Sequence, residues 1–119
     1  MKFRELITRS GKKIIVGKDA ESNEELVNQV GKNEEVFHTA SPGSPFVNIK
    51  GEAKKTDIKE ASIICAKYSR DWKKNKKDVV VHIFKGKDIY KNKEMKLGTF
   101  GVKKFKAIRV KKNEILNFV

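Results

Sequence analysis

The chain has one cysteine, two prolines, two histidines and one tryptophan in 119 residues, and only four of its 28 basic residues are arginines: Arg4, Arg9, Arg70 and Arg109. A single cysteine excludes an intramolecular disulfide. With two histidines it is also too little for a structural zinc site, so no metal is expected and a reducing compartment is implied. No apolar run approaches the roughly 20 residues of a membrane span, and the opening MKFRELITRSGKK carries no apolar signal segment. The protein reads as soluble and cytoplasmic. A phosphate loop, a nucleophile elbow, metal-ligand spacing and a carboxylate pair in a pocket-like context are all missing, so neither a catalytic residue nor a cofactor is expected.

What is present in excess is lysine, and it is unevenly placed. Residues 1–52 hold eight Lys/Arg and eight Asp/Glu, whereas residues 53–119 hold twenty and seven, so the whole net charge of +13 lies in the second part. One-sided charge in a folded domain provides a surface for a polyanion, usually nucleic acid. Lysine makes point-charge contacts where arginine makes forked ones to guanine, which favours binding of the phosphate backbone over base reading. A solvated, lysine-rich exterior without a ligand would have the same composition, and a DNA or acidic membrane surface would use the same charge.

The stretch 56–75, TDIKEASIICAKYSRDWKKN, reads as one long helix. Ile58, Ala61, Cys65, Tyr68 and Trp72 recur at three- and four-residue steps and form a single apolar stripe, with Lys59, Lys67, Arg70, Lys73 and Lys74 elsewhere around the wheel. Thr56 is the expected N-cap, followed by Asp57 and Glu60 in the first turn and lysines in the last, the order that suits the helix dipole. Cys65, on the stripe, reads as a small buried hydrophobe. Trp72 and Tyr68 fit core packing, although both could stack on bases.

Around this helix, 2–8 and 12–16 form a hairpin, and 22–31 a short helix with Leu26 and Val30 on one side and Gly31 as its stop. Residues 36–39 and 46–49 are strands flanking Ser41, Pro42, Gly43, Ser44 and Pro45. Residues 78–84, DVVVHIF, are apolar on both faces and so form a central strand. Residues 89–90 and 103–110 add strands, and 114–118 a helical turn. The expected architecture is a single α+β domain over 1–119, a mixed, largely antiparallel sheet with one long and one short helix packed on it.

The Ser-Pro-Gly-Ser-Pro loop has two readings. Consecutive amides around Gly43 could form a nest for a phosphate oxygen with help from Ser41 and Ser44. A plain Pro-Gly turn between paired strands explains the same letters. His38 lies just before the loop and either meets phosphate or holds the loop; His82 is assigned to packing. The candidate nucleic-acid-binding residues are accordingly His38, Ser41, Gly43 and Ser44 near the loop, Lys67, Arg70, Lys73, Lys74, Lys76 and Lys77 along and beyond the helix, and Lys85, Lys87, Lys104 and Lys106 further on. For Lys104 and Lys106 an alternative duty is to keep a sheet edge from pairing with other chains.

Several of these segments together resemble one module, the C-terminal R domain of the NFACT proteins. The matching residues are Val16, Gly17 and Lys18; Asn23, Glu24 and Leu26; Phe37 and His38 with Pro42, Gly43 and Ser44; Glu60 and Ala61; Ala66, Lys67, Tyr68 and Ser69; the run from Asp78 through Val81; the run from Lys87 through Lys91; and the run from Lys106 through Val110. They cover nearly the whole chain in order. The resemblance implies a module standing alone that binds RNA, since full-length NFACT proteins work at the large ribosomal subunit with tRNA in rescuing stalled translation. Two positions depart from the family pattern. Val36 stands where an aromatic residue normally precedes the Phe-His pair, and Pro45 where a histidine normally follows Pro-Gly-Ser, so a phosphate grip there would lean on backbone amides and lysines. The expected function is non-enzymatic binding of tRNA or rRNA. The competing reading is a protein-interaction module that docks on a ribosomal or other acidic partner.

Overall fold

The computed structural model describes residues 3–118. The chain begins with a hairpin of β1 (Arg4–Ile7) and β2 (Lys13–Val16); the expected start of the first strand at Lys2 lies outside the described residues. Next come α1 (Ala20–Asn28), β3 (Glu35–Thr39) and β4 (Val47–Ile49). They are followed by α2 (Lys55–Lys67), α3 (Arg70–Asn75) and β5 (Val79–Lys85). A single 3₁₀ turn then leads to β6 (Ile89–Tyr90), β7 (Gly101–Val102), β8 (Lys106–Val110) and α4 (Lys112–Leu116). Six strands form one sheet in the order β1-β2-β4-β3-β5-β8, antiparallel at every pairing, and β6 and β7 form a separate antiparallel pair. The fold is α+β, as expected.

The alternation of β5 sorts the sheet into two faces. Val79, Val81 and Ile83 join Ile14, Val16, Phe37, Val47, Ile49 and Val110 on the face covered by α2, where Ala61, Ile64 and Cys65 meet Trp72 of α3 and Ile115 of α4. Phe37 is fully buried there, a contribution of about 1.5–3 kcal/mol. On the opposite face Ile15, Val36, Phe46 and Phe84 pack with Leu26 of α1 and with Phe100 and Val102. β5 lies between β3 and β8, the interior place its apolar run implies.

The stretch 56–75 is not one helix. Ser69, fully buried, donates its hydroxyl to Ala66 O (2.6 Å) and accepts the Trp72 amide (3.2 Å), ending α2 and capping α3. The apolar spacing runs through this break, because both helices turn the same side toward the sheet. Thr56 is not the cap of α2. That position belongs to Lys54, whose amide donates to Asp57 Oδ2 (2.9 Å), while Ser10 Oγ donates to Asp57 Oδ1 (2.6 Å) and pins the first hairpin to the helix. α1 starts two residues earlier than expected, because Asp19 accepts the Ser22 amide (2.8 Å) and Ser22 Oγ accepts the Asp19 amide (3.0 Å). It ends before Gly31, with Gln29 as C-cap.

Candidate nucleic-acid interface

α1 and the segment carrying β6 and β7 cover only part of their face of the sheet, and the uncovered part is a groove of about 870 Å³. Its size falls within the roughly 300–1,000 Å³ of ordinary ligand clefts. The floor is the β3–β5 ladder, where His38 and His82 are register partners and therefore share a face. Phe46 lies 4.6 Å from the His38 ring, and Phe100 meets Phe46 edge-on at 5.5 Å. On the other side Phe105 stacks on His82 at 4.0 Å with 23° between the rings. With Tyr68 and Phe84, seven rings thus line the groove, and assigning His82 to packing alone misses its place on the open face.

Residues matching the family pattern hold the walls. Gly17 donates its amide to Phe46 O (2.9 Å), and a Cβ at Gly17 would collide with Asn23 Oδ1, which itself accepts the Phe46 amide (3.1 Å). Close approach, not flexibility, requires glycine there, and it sets Phe46 in place. Glu24 accepts from the Gly98 amide (2.7 Å) and Lys91 Nζ (3.0 Å); Lys91 also donates to the carbonyls of Lys96 (2.6 Å) and Thr99 (2.9 Å) and sits over the Phe100 ring. The Gly98 amide, with Lys91, holds the Glu24 carboxyl below the ordinary range against the opposing effect of burial. This cluster fixes the wall that carries Leu97 and Phe100.

The Ser-Pro-Gly-Ser-Pro loop forms the opposite rim. Gly43 has φ +86°, its carbonyl accepts the Arg70 amide (2.9 Å), and a Cβ added there would lie 3.0 Å from Arg70 Cβ. The start of α3 is therefore seated on the loop, and Arg70 and Lys73 reach the groove with Arg4 and Lys18. Arg4 also lies over the Tyr68 ring at 4.8 Å. None of these four cations makes an ion pair with a described residue. Six carboxylates are paired elsewhere, in Arg9–Glu60, Lys13–Glu5, Lys50–Glu34, Lys59–Glu114, Lys85–Glu35 and Lys91–Glu24, and none of the six lines the groove. Among the described residues, the one acid on its walls is Asp19, whose carboxylate caps α1.

The histidines and the cysteine differ in what they can do chemically. His38 Nδ1 donates to Thr39 O (2.8 Å), leaving Nε2 with its lone pair. No buried side-chain nitrogen or oxygen among the described residues lacks a partner, so this unbonded Nε2 is reached from the groove. Burial lowers the pKa of both imidazoles, and for His38 the nearby His82 adds to the effect. Both are therefore neutral at physiological pH, and no carboxylate among the described residues hydrogen-bonds either one. Cys65 is fully buried and its thiol is pushed up to about 12 by burial, which leaves it no nucleophilic role.

Of the candidates named from sequence, the groove brings together His38, Gly43, Ser44, Arg70 and Lys73. Ser44 is buried, and its hydroxyl is occupied inside the loop, accepting the Thr39 amide (3.2 Å) and donating to Pro45 O (2.8 Å). Ser41 is exposed, and its carbonyl accepts the Thr39 hydroxyl. Lys74, Lys76 and Lys77 are exposed and do not line the groove, with Lys76 Nζ 5.0 Å over the Trp72 ring. Lys67 points elsewhere, donating to Phe118 O (3.2 Å), and Lys85 is paired with Glu35. Lys87, Lys104 and Lys106 are exposed outside the groove. Sequence reasoning missed Arg4, Lys18, Phe46, Phe100 and Phe105; Lys18, next to Gly17 in the family pattern, was the one with a local signal.

Among the described residues there is no group of three or more His, Cys, Asp or Glu placed to hold a metal ion, and no helix is long and apolar enough to cross a membrane. A search of curated proteins gives no match. The solved C-terminal part of the fibronectin/fibrinogen-binding protein from Streptococcus suis is similar in fold, with a TM-score of 0.85 at 23% identity over 98% of this chain and 48% of that one. The present chain thus spans about half the length of that solved chain. The family model of the NFACT protein RNA binding domain matches residues 2–104, and the chain belongs to that family.

Proposed function

We propose that this protein binds structured RNA, tRNA or ribosomal RNA, mainly through the phosphate backbone, in the cytoplasm and without chemistry of its own. The observation that carries the reading is the set of four cations around the groove, Arg4, Lys18, Arg70 and Lys73, which make no ion pair among the described residues, while six carboxylates there are paired with other cations. Cations that are not neutralised by a nearby carboxylate interact most strongly with an incoming polyanion, and the exposed Lys74, Lys76 and Lys77 add positive charge next to them in the chain. Membership of an RNA-binding family supports RNA as the polyanion. A role at the large ribosomal subunit in quality control of stalled translation is part of the same proposal, and membership of the NFACT RNA-binding family supports it.

The test is the salt dependence of RNA affinity. If about five phosphates are neutralised, log K falls against log salt with a slope of about −3.5 to −4.5, depending on whether the RNA is single- or double-stranded. A slope near zero contradicts the reading. Binding that survives complete nuclease digestion of a cell extract would favour an acidic protein partner instead.

A further inference from the structure

Phe105 stacks on His82 with one face and yet remains 49% exposed; across the groove Leu97 is 57% exposed. The stack on His82 leaves about half of this aromatic side chain's surface uncovered. The ring offers its other face to solvent at the rim of a groove lined by six more rings and, at its edge, by cations that make no ion pair with a described residue. An A-form duplex keeps its base faces stacked inside and presents only phosphates, ribose hydroxyls and base edges. A ring platform is useful only to a base that has left the stack.

We infer that the groove receives an unpaired nucleotide of the bound RNA, its base laid against the outer face of Phe105 and its phosphates on Arg70 and Lys73. This rests on the RNA-binding reading above and narrows it to single-stranded segments, loops or ends. His38 completes the site: its Nδ1 is committed to Thr39 O, so Nε2 accepts a hydrogen bond from a base amine or a ribose hydroxyl. Phe46, bonded through its backbone to Gly17 and Asn23, and Phe100, beneath Lys91, close the far side, while Phe105 is seated on His82. Stacking tolerates any base, so the site selects for an unpaired state more than for a sequence.

The experiment compares an unstructured RNA oligonucleotide carrying 2-aminopurine with a duplex of the same length, using the full chain and its Phe105→Ala and Phe105→Tyr variants. Backbone attraction alone favours the duplex, which carries twice the phosphates. The inference predicts tighter binding of the single strand, a change in 2-aminopurine fluorescence on binding, about tenfold loss of single-strand affinity in Phe105→Ala and recovery in Phe105→Tyr. Thermal melts establish that the variants fold, and the fluorescence change in the unaltered protein is an independent readout. Duplex preference with no fluorescence change, or unaltered single-strand affinity in folded Phe105→Ala, overturns the inference and leaves RNA binding intact. Failure of both RNAs to bind at low salt overturns the RNA-binding reading and this inference with it.

Discussion

His38 and His82 face each other across the β3–β5 ladder, and each carries an aromatic ring on its outer side, Phe46 at 4.6 Å and Phe105 at 4.0 Å. The pair forms the centre of a ring-lined floor that neither histidine's local sequence announces. Its neutrality is a matter of environment: burial disfavours the charged form of both, and a charge on His82 further disfavours one on His38.

That environment predicts a pH dependence of stability. Because the folded-state pKa values are lowered, the unfolded chain binds more protons as pH falls below the ordinary histidine value of about 6.5. Stability therefore declines from there down through the folded-state values. Glu24, Glu34, Asp57 and Glu114, all lowered, lose their contributions only at more acidic pH, near the ordinary carboxylate range. Melting at pH 5.5 should occur at lower temperature than at pH 7.5, and His38→Gln should narrow the gap. Equal melting temperatures would contradict this account.

Ser69 is expected to matter more than its size suggests. Ser69→Ala removes the cap of α3 and the bond to Ala66 O, a loss of about 0.5–2 kcal/mol for the cap alone. Urea denaturation measures it. An unchanged midpoint would mean that the α2–α3 break is held by packing of Trp72 and not by the serine.

The break also shows what can be read from a sequence. The apolar stripe through Ile58, Ala61, Cys65 and Trp72 was legible because both helices face one sheet, but Ser69 acts through two local hydrogen bonds that spacing does not encode. The central place of β5 was legible from its continuous apolar run. His38 and the Pro-Gly loop were legible as a candidate site, and the loop proved to be the seat of Arg70. Phe105, Phe100 and Arg4 were not, because they reach the groove from distant parts of the chain and no local pattern marks a residue that arrives by tertiary packing. The lysine clusters gave the sign of the surface, but only Lys73 among those of the second part lines the groove.

Gly43→Ala tests the loop. A side chain at φ +86° is strained by about 1–2 kcal/mol, and its Cβ would press on Arg70 Cβ at 3.0 Å. The variant should melt earlier and also bind RNA more weakly, since Arg70 must move. Destabilisation with unaltered affinity would separate the loop from the binding surface.

Charge placement can be separated from net charge. Arg70→Glu with Lys73→Glu should weaken RNA binding across sequences and reduce the magnitude of the salt slope by about 2. Lys32→Glu with Lys55→Glu makes the same change in net charge at exposed positions outside the groove and should have a much smaller effect. Equal losses in affinity titrations would indicate diffuse attraction to the whole +13 surface.

The placement of RNA on the open face of the sheet is tested most directly by ultraviolet crosslinking of bound RNA followed by mass spectrometry of the modified peptides. Adducts are expected at Phe105, Phe100 and Lys73. Adducts confined to the helical side, at Lys59, Lys111 and Lys112, would contradict it.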